Sequence, residues 1–175
     1  MTTPIYLIGM MGAGKSTLGQ TLARELGRSF VDLDERIEAR AGFPIAEIFD
    51  RYGEAGFRDL ESAALAELQT GGAPVVALGG GTTKRPANRD ILSESGCVVY
   101  LKADPATLAK RLADHADRPL LRDTTDPEAT LRTLLARREP DYNDLADIVI
   151  DNEADLAATL DRLIRTLEDQ GWIPR

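Results

Sequence analysis

The apolar run Ile5-Tyr6-Leu7-Ile8 leads into Gly9-Met10-Met11-Gly12-Ala13-Gly14-Lys15-Ser16, and Leu18, Leu22 and Leu26 then recur at helical spacing up to Gly27. The pattern is G-x-x-x-x-G-K-S between a strand and a helix, the context that gives this motif its meaning. Its glycines let backbone N–H groups converge on phosphate oxygens, and the following helix adds the positive end of its dipole. The competing reading, a glycine-rich turn carrying a solvated lysine, does not account for the flanking strand and helix. The spacing therefore predicts a nucleoside triphosphate site built from Gly12, Ala13, Gly14, Lys15, Ser16 and Thr17. Lys15 is expected to reach the β- and γ-phosphates, and Ser16 to ligate Mg²⁺.

The rest of the chain repeats the alternation. Phe30-Val31 leading into Asp32, Val75 to Leu78, Cys97 to Leu101, and Ile148 to Ile150 read as further short strands. Helical spacing fills the gaps: a helix opened by Pro44 (Ile45, Ile48, Phe49, Tyr52), another reaching about Leu68, then Ala87–Glu94, Pro105–Ala113, Leu131–Arg138 and a last stripe of Leu156, Leu160, Leu163, Ile164 and Leu167. Short apolar strands between amphipathic helices imply an α/β fold, a five-stranded parallel sheet covered on both faces. At 175 residues the chain is expected to be one domain, since domains hold roughly 100–200 residues.

Composition narrows the function. Twenty-one basic against 29 acidic residues give a formal charge of −8, which argues against a general nucleic-acid or anionic-membrane binder. Cys97 and His115 are the only residues of their kinds, so an intrachain disulfide, a Cys/His metal cluster and a Ser-His-Asp triad are all disfavoured. Cys97 reads as a small buried hydrophobe and His115 as a solvated loop residue. The sequence shows neither a bilayer-spanning apolar stretch nor a signal-peptide pattern, and a reducing, cytoplasmic location is expected.

The phosphate loop does not name an acceptor. Asp32 and Asp34 follow the second strand and so fall at the ligand-binding edge of such a sheet. Two apart on an extended chain, they could face one site, one beside Mg²⁺ and the other on a substrate hydroxyl. Equally, Asp34 could simply cap the helix that begins there. Gly79-Gly80-Gly81 reads either as backbone that approaches a ligand closely or as a flexible turn. No acidic residue follows Leu78 to hold a metal, which disfavours a motor or switch, and a guanine-reading N-K-x-D segment is absent from the sequence. Arg118-Pro119 lies in an aperiodic polar stretch from Asp114 to Asp126 that suggests a mobile lid.

Taken in order, the phosphate loop, Phe30-Val31-Asp32-Leu33-Asp34 with Ile37-Glu38, Ile45-Ala46-Glu47-Ile48-Phe49 through Gly53-Glu54 to Phe57-Arg58 and Glu61, Leu78-Gly79-Gly80-Gly81, Arg118-Pro119-Leu120-Leu121 and Arg138-Glu139-Pro140-Asp141-Tyr142 resemble the shikimate kinase family along nearly the whole chain. The resemblance implies a three-layer P-loop kinase fold of the nucleoside-monophosphate-kinase type. It implies an acceptor region at about 33–61, a lid at about 112–125, and phosphate transfer from ATP to the 3-hydroxyl of shikimate, with Mg²⁺. Arg58 and Arg138 would grip the shikimate carboxylate, Asp34 and the Gly80 backbone the ring hydroxyls, with Asp34 the candidate base. Ser16 and Asp32 would serve Mg²⁺, Arg118 the transferring phosphoryl, and Arg111 the adenine. A structural role is implied for Tyr142, and a monomer for the whole. Another small-metabolite kinase, such as a gluconate kinase, and a silent nucleotide-dependent binding module are the alternative readings.

Overall fold

A strand with no polar face must be covered on both sides, and Ile5–Ile8 is. All four residues are buried, and this strand, β1, lies at the centre of the sheet. The computed structural model describes residues 3–68, 71–113, 124–152 and 155–174. Its other strands are β2 (Phe30–Asp32), β3 (Val75–Ala77), β4 (Cys97–Lys102) and β5 (Ile148–Asp151). The helices are α1 (Lys15–Glu25), α2 (Leu33–Ala41), α3 (Ile45–Glu67), α4 (Pro86–Ser95), α5 (Pro105–Leu112), α6 (Pro127–Leu145) and α7 (Leu156–Asp169).

The strand order is β2-β3-β1-β4-β5, and every pairing is parallel. Ile5 lies opposite both Val75 and Cys97, so β1 has a crossover neighbour on each side. The loop that leaves β1 therefore emerges where the strand order changes direction, the place where open α/β sheets hold ligands. The edge strand β5 is exposed on alternate residues, Val149 and Asp151, while Ile148 and Ile150 face the core. No described helix is long and apolar enough to cross a membrane.

Helix starts differ in an informative way. Asp32, Asp104, Asp126 and Asp155 cap α2, α5, α6 and α7 through their carboxylates. Gly14, in front of α1, has left-handed backbone (φ 88°) and no side chain to offer. Gly14 therefore leaves the first turn of α1 without the carboxylate cap that those four helices have, and that turn opens towards the glycine loop.

The expected strands and helices are all present among the described residues, with three differences. First, β2 ends at Asp32 and α2 starts at Leu33, so Asp32 and Asp34 are not two residues of one extended segment. Second, the two helices expected between Pro44 and Leu68 abut as α3, broken only at Gly53 (φ 67°, ψ −177°). Third, α6 extends well beyond Leu131–Arg138 and continues through Pro140. Its buried residues are Leu131, Leu135, Arg138 and Tyr142, a helical stripe in which an arginine occupies a core position. The tail also joins the core: Trp172 N–H donates to Leu167 O at 2.9 Å, and Ile173 is buried.

Candidate active site

The loop after β1 is shaped by close approach. A Cβ at Gly9 (φ 140°) would stand 2.6 Å from the Leu101 carbonyl oxygen, and one at Gly12 (φ 77°) would stand 2.9 Å from Leu112 Cγ. Lys15, the first residue of α1, curls over the loop and donates from Nζ to Gly9 O at 3.0 Å and Met10 O at 2.9 Å. Ser16 and Thr17 follow on the exposed side of the first turn. The Ser16 hydroxyl donates to Asp32 Oδ2 at 2.6 Å, which ties the start of α1 to the end of β2.

Asp32 has a second role: its Oδ1 accepts from the N–H groups of Asp34 (3.0 Å) and Glu35 (3.5 Å). The α2 cap is thus Asp32, and the alternative in which Asp34 caps this helix is set aside. Asp34 instead lies in the first turn of α2, where the helix dipole favours a carboxylate, and faces the turn after β3. A Cβ on Gly79 would stand 3.0 Å from Asp34 Oδ1 and 3.0 Å from Glu61 Oε1.

That turn, Gly79-Gly80-Gly81, is where the acidic and basic groups meet. A side chain at Gly80 would stand 3.0 Å from Arg138 Nη1 and 3.4 Å from Gly9 O, and one at Gly81 would collide with the Arg58 guanidinium. None of the three glycines has positive φ, so close packing rather than backbone freedom accounts for glycine here. Arg58, on α3, donates to the buried Glu61 carboxylate at 2.7 Å, lies 3.6 Å from Glu54 Oε1 and sits over the Phe57 ring at 5.0 Å. Its Nε is buried without a hydrogen-bond partner. Arg138 is only 8% exposed and makes no ion pair among the described residues. A buried guanidinium without a carboxylate is costly unless something else supplies the anion.

On the other flank, Arg111 of α5 donates from Nη1 to Gly12 O at 3.4 Å and from Nη2 to Asn152 O at 2.6 Å. Asn152, just past β5, donates from Nδ2 to Ala13 O at 2.5 Å. The structure thus gathers Lys15, Ser16, Asp32, Asp34, Arg58, Gly80, Arg111 and Arg138 around the loops that follow β1, β2 and β3 and the neighbouring helices. Arg118 and His115, with most of the expected lid (114–123), lie outside the described residues.

Two residues stand out that sequence reasoning did not assign. Glu61 was visible only as part of the family pattern, although its place three residues after Arg58 on a helix signals an ion pair. Asn152 had no signal, because its role depends on the fold bringing the end of β5 against a loop about 140 residues earlier. Burial also raises the Tyr142 phenol above its ordinary pKa, against the opposing pull of Arg138. That phenol donates to Gly80 O at 2.5 Å.

A parallel sheet with a glycine-lysine loop at its switch point, a helix with a glycine cap behind the loop, and the buried Arg138 and half-buried Arg58 across from it define a phosphoryl-transferring enzyme of the P-loop kinase class. The family model for shikimate kinase matches residues 11–168. The shikimate kinase of Bordetella pertussis is 50% identical over 157 residues, covering 90% of this chain and 74% of its own. The fold is similar to that of a shikimate kinase from Acinetobacter baumannii, solved in complex with shikimate, with a TM-score of 0.87, 40% identity, and coverage of 97% of this chain and 93% of that one. A gluconokinase from Sinorhizobium meliloti shares the fold alone, with a TM-score of 0.61 and 24% identity over 97% of each chain. The chain belongs to the shikimate kinase family.

Proposed function

We infer that the chain transfers the γ-phosphoryl group of ATP to the 3-hydroxyl of shikimate, giving shikimate 3-phosphate and ADP in chorismate and aromatic amino-acid biosynthesis. The observation that carries this reading is the convergence of two guanidinium groups, Arg58 and Arg138, on adjacent glycines beside the phosphate loop. Arginine forks match a carboxylate bidentately, and shikimate is a small acid whose ring hydroxyls need acceptors and donors close by. Asp34 and the Gly80 backbone supply them.

The residues then divide the work. Gly12, Ala13, Gly14, Lys15, Ser16 and Thr17 hold the triphosphate, with Arg111 beside the adenine. Arg58 and Arg138 orient the acid so that its hydroxyl faces the γ-phosphorus. Asp34 orients that hydroxyl and takes its proton as the new O–P bond forms and the bond to the β-phosphate oxygen breaks. Lys15, and Arg118 from the lid, offset the charge on the transferring group. The hydroxyl of Ser16 and the carboxylate of Asp32 are hard oxygen donors that fit Mg²⁺, an ion that arrives on nucleotide phosphates and needs few protein ligands. These two residues would hold it, and when bound it screens the phosphate charge.

The working unit is the whole chain, 1–175, with an acceptor region at about 33–61 and a lid at about 112–125, acting as a cytoplasmic monomer without nucleic-acid or membrane partners. The test is ADP release by purified protein with ATP and Mg²⁺, in the presence of shikimate, gluconate or no acceptor. Shikimate alone should raise the rate. A rate indistinguishable from that without acceptor would overturn the reading.

A further inference from the structure

The glycine turn has no side chains of its own to hold it, so its backbone carbonyls must be held from elsewhere. Gly79 O accepts from Thr82 N–H and Gly81 O from Lys84 N–H, both at 3.1 Å, within the short 3-10 turn Thr82–Lys84. The middle carbonyl, Gly80 O, has a different partner: the Tyr142 hydroxyl at 2.5 Å. Tyr142 follows Arg138 by one helical turn on α6, so the two share a face. Its ring is fully buried and packs on Tyr100, with centroids 5.1 Å apart. Met10 Sδ lies 4.0 Å from both the Tyr142 hydroxyl and Arg138 Nη1, which fixes the two polar groups against one loop residue. A phenylalanine would fill the same aromatic wall, so packing alone does not account for the hydroxyl.

We propose that Tyr142 is a positioning residue for the acceptor subsite: its hydroxyl sets the Gly80 peptide at the distance from Arg138 that the acceptor needs. One helix then carries both the guanidinium that binds the acid and the donor that fixes the backbone opposite it. The proposal rests on the reading of Gly80 and Arg138 as acceptor-binding residues. Without the hydroxyl, Gly80 O loses its buried donor, and a glycine peptide is free to rotate away.

The test compares Tyr142→Phe with Arg138→Gln in steady-state kinetics, together with thermal unfolding of each. Tyr142→Phe is expected to raise the shikimate KM about tenfold, the effect of one lost hydrogen bond, with the ATP KM and kcat within about twofold of wild type. A lowered Tm with an unchanged shikimate KM, or equal rises in both KM values, overturns the proposal. If the Arg138→Gln shikimate KM rises while that of Tyr142→Phe does not, the subsite reading stands and the proposal fails. If neither rises, both fail. Should Tyr142→Phe not fold, the Tyr142 hydroxyl proton of the wild-type chain is observed directly by NMR. A slowly exchanging hydroxyl proton without shikimate is expected, and one that appears only on adding shikimate overturns the proposal.

Discussion

Arg58 donates from Nη1 to Glu61 Oε2 at 2.7 Å, and the carboxylate that receives it has no exposed surface. The other oxygen of Glu61 accepts from the Thr82 hydroxyl at 2.6 Å, so one buried carboxylate links α3, the Arg58 guanidinium and the turn after β3. Arg58 itself keeps 13% of its side-chain surface exposed, and its outer Nη2 is the nitrogen that approaches Glu54. Glu61 therefore fixes the guanidinium from behind.

Removing that anchor should affect both stability and binding. Glu61→Ala leaves the mostly buried Arg58 with only the exposed Glu54 carboxylate at 3.6 Å, and loss of one partner of a buried pair costs up to about 3–5 kcal/mol. Glu61→Gln keeps an oxygen for Thr82 and loses only the charge, so its loss should be smaller. Urea unfolding and the shikimate KM measure the two effects, and the KM should rise in both variants. A loss below about 1 kcal/mol for Glu61→Ala would show that the pair does not anchor Arg58.

Asp32 combines two roles that can be separated. As the α2 cap it needs only an acceptor oxygen, but beside Ser16 it needs its charge if it serves Mg²⁺. Asp32→Ala should lose about 1 kcal/mol of stability through the cap, whereas Asp32→Asn, which keeps an oxygen, should lose less. Both should raise the Mg²⁺ concentration that gives half-maximal activity. Unchanged Mg²⁺ dependence in Asp32→Asn would remove Asp32 from the metal role.

How much of this was legible in the sequence follows the range of the interactions. The phosphate loop and the five strands could be read because each is a local pattern: glycine spacing in one case, short apolar runs in the other. The length of α6 could not, because Arg138 interrupts the apolar stripe that Leu131, Leu135 and Tyr142 otherwise complete, and Pro140 reads as a stop. A buried arginine hides a helix for the same reason that it points to a site. The choice of Asp32 over Asp34 as cap depended on the residue at which the strand ends, the least determinate part of any element. Asn152 acts through a partner supplied by tertiary contact, for which single-sequence periodicity carries no signal, whereas Glu61 joins a local partner, Arg58 three residues earlier on α3, to a distant one, Thr82.

Cys97 gives a pH prediction. Burial, and then the nearby Asp147 carboxylate, raise its thiol from 9.0 to about 12. The folded state therefore holds the proton more tightly than the unfolded state. The stabilising contribution is intact below pH 9 and is lost as pH rises through about 12. Unfolding free energy should fall with pH across that window, and Cys97→Ala should fall less steeply than wild type. Identical slopes would show that the thiol is not responsible. Thiol reagents at pH 8 should leave the native chain unmodified and label it only after unfolding.

The two proposed arginine roles predict different kinetics. Arg58→Ala should mainly raise the shikimate KM, since it removes a contact made equally to bound acceptor and transition state. Arg118→Ala should mainly lower kcat, by about a hundredfold if it supports charge on the transferring phosphoryl. Changes confined to the ATP KM in both variants would show the assignment to be wrong.

Asn152 offers the strictest test of how the phosphate loop is held. Its Nδ2 donates to Ala13 O at 2.5 Å, and its backbone oxygen accepts from Arg111, which also donates to Gly12 O. The end of β5 and α5 thus grip the loop from one side. Asn152→Asp replaces the donor with a carboxylate oxygen opposite the Ala13 carbonyl, and should raise the ATP KM about tenfold while leaving the shikimate KM alone. Gly14 adds a second handle, because a Cβ there would stand 2.7 Å from Asn152 Nδ2. Gly14→Ala should therefore be more harmful in the wild-type chain than in an Asn152→Ala background. The strain of its positive φ (88°) remains in both backgrounds and cancels in the comparison. Strict additivity of the two substitutions in the ATP KM would mean that Asn152 does not hold the loop in the form that binds nucleotide.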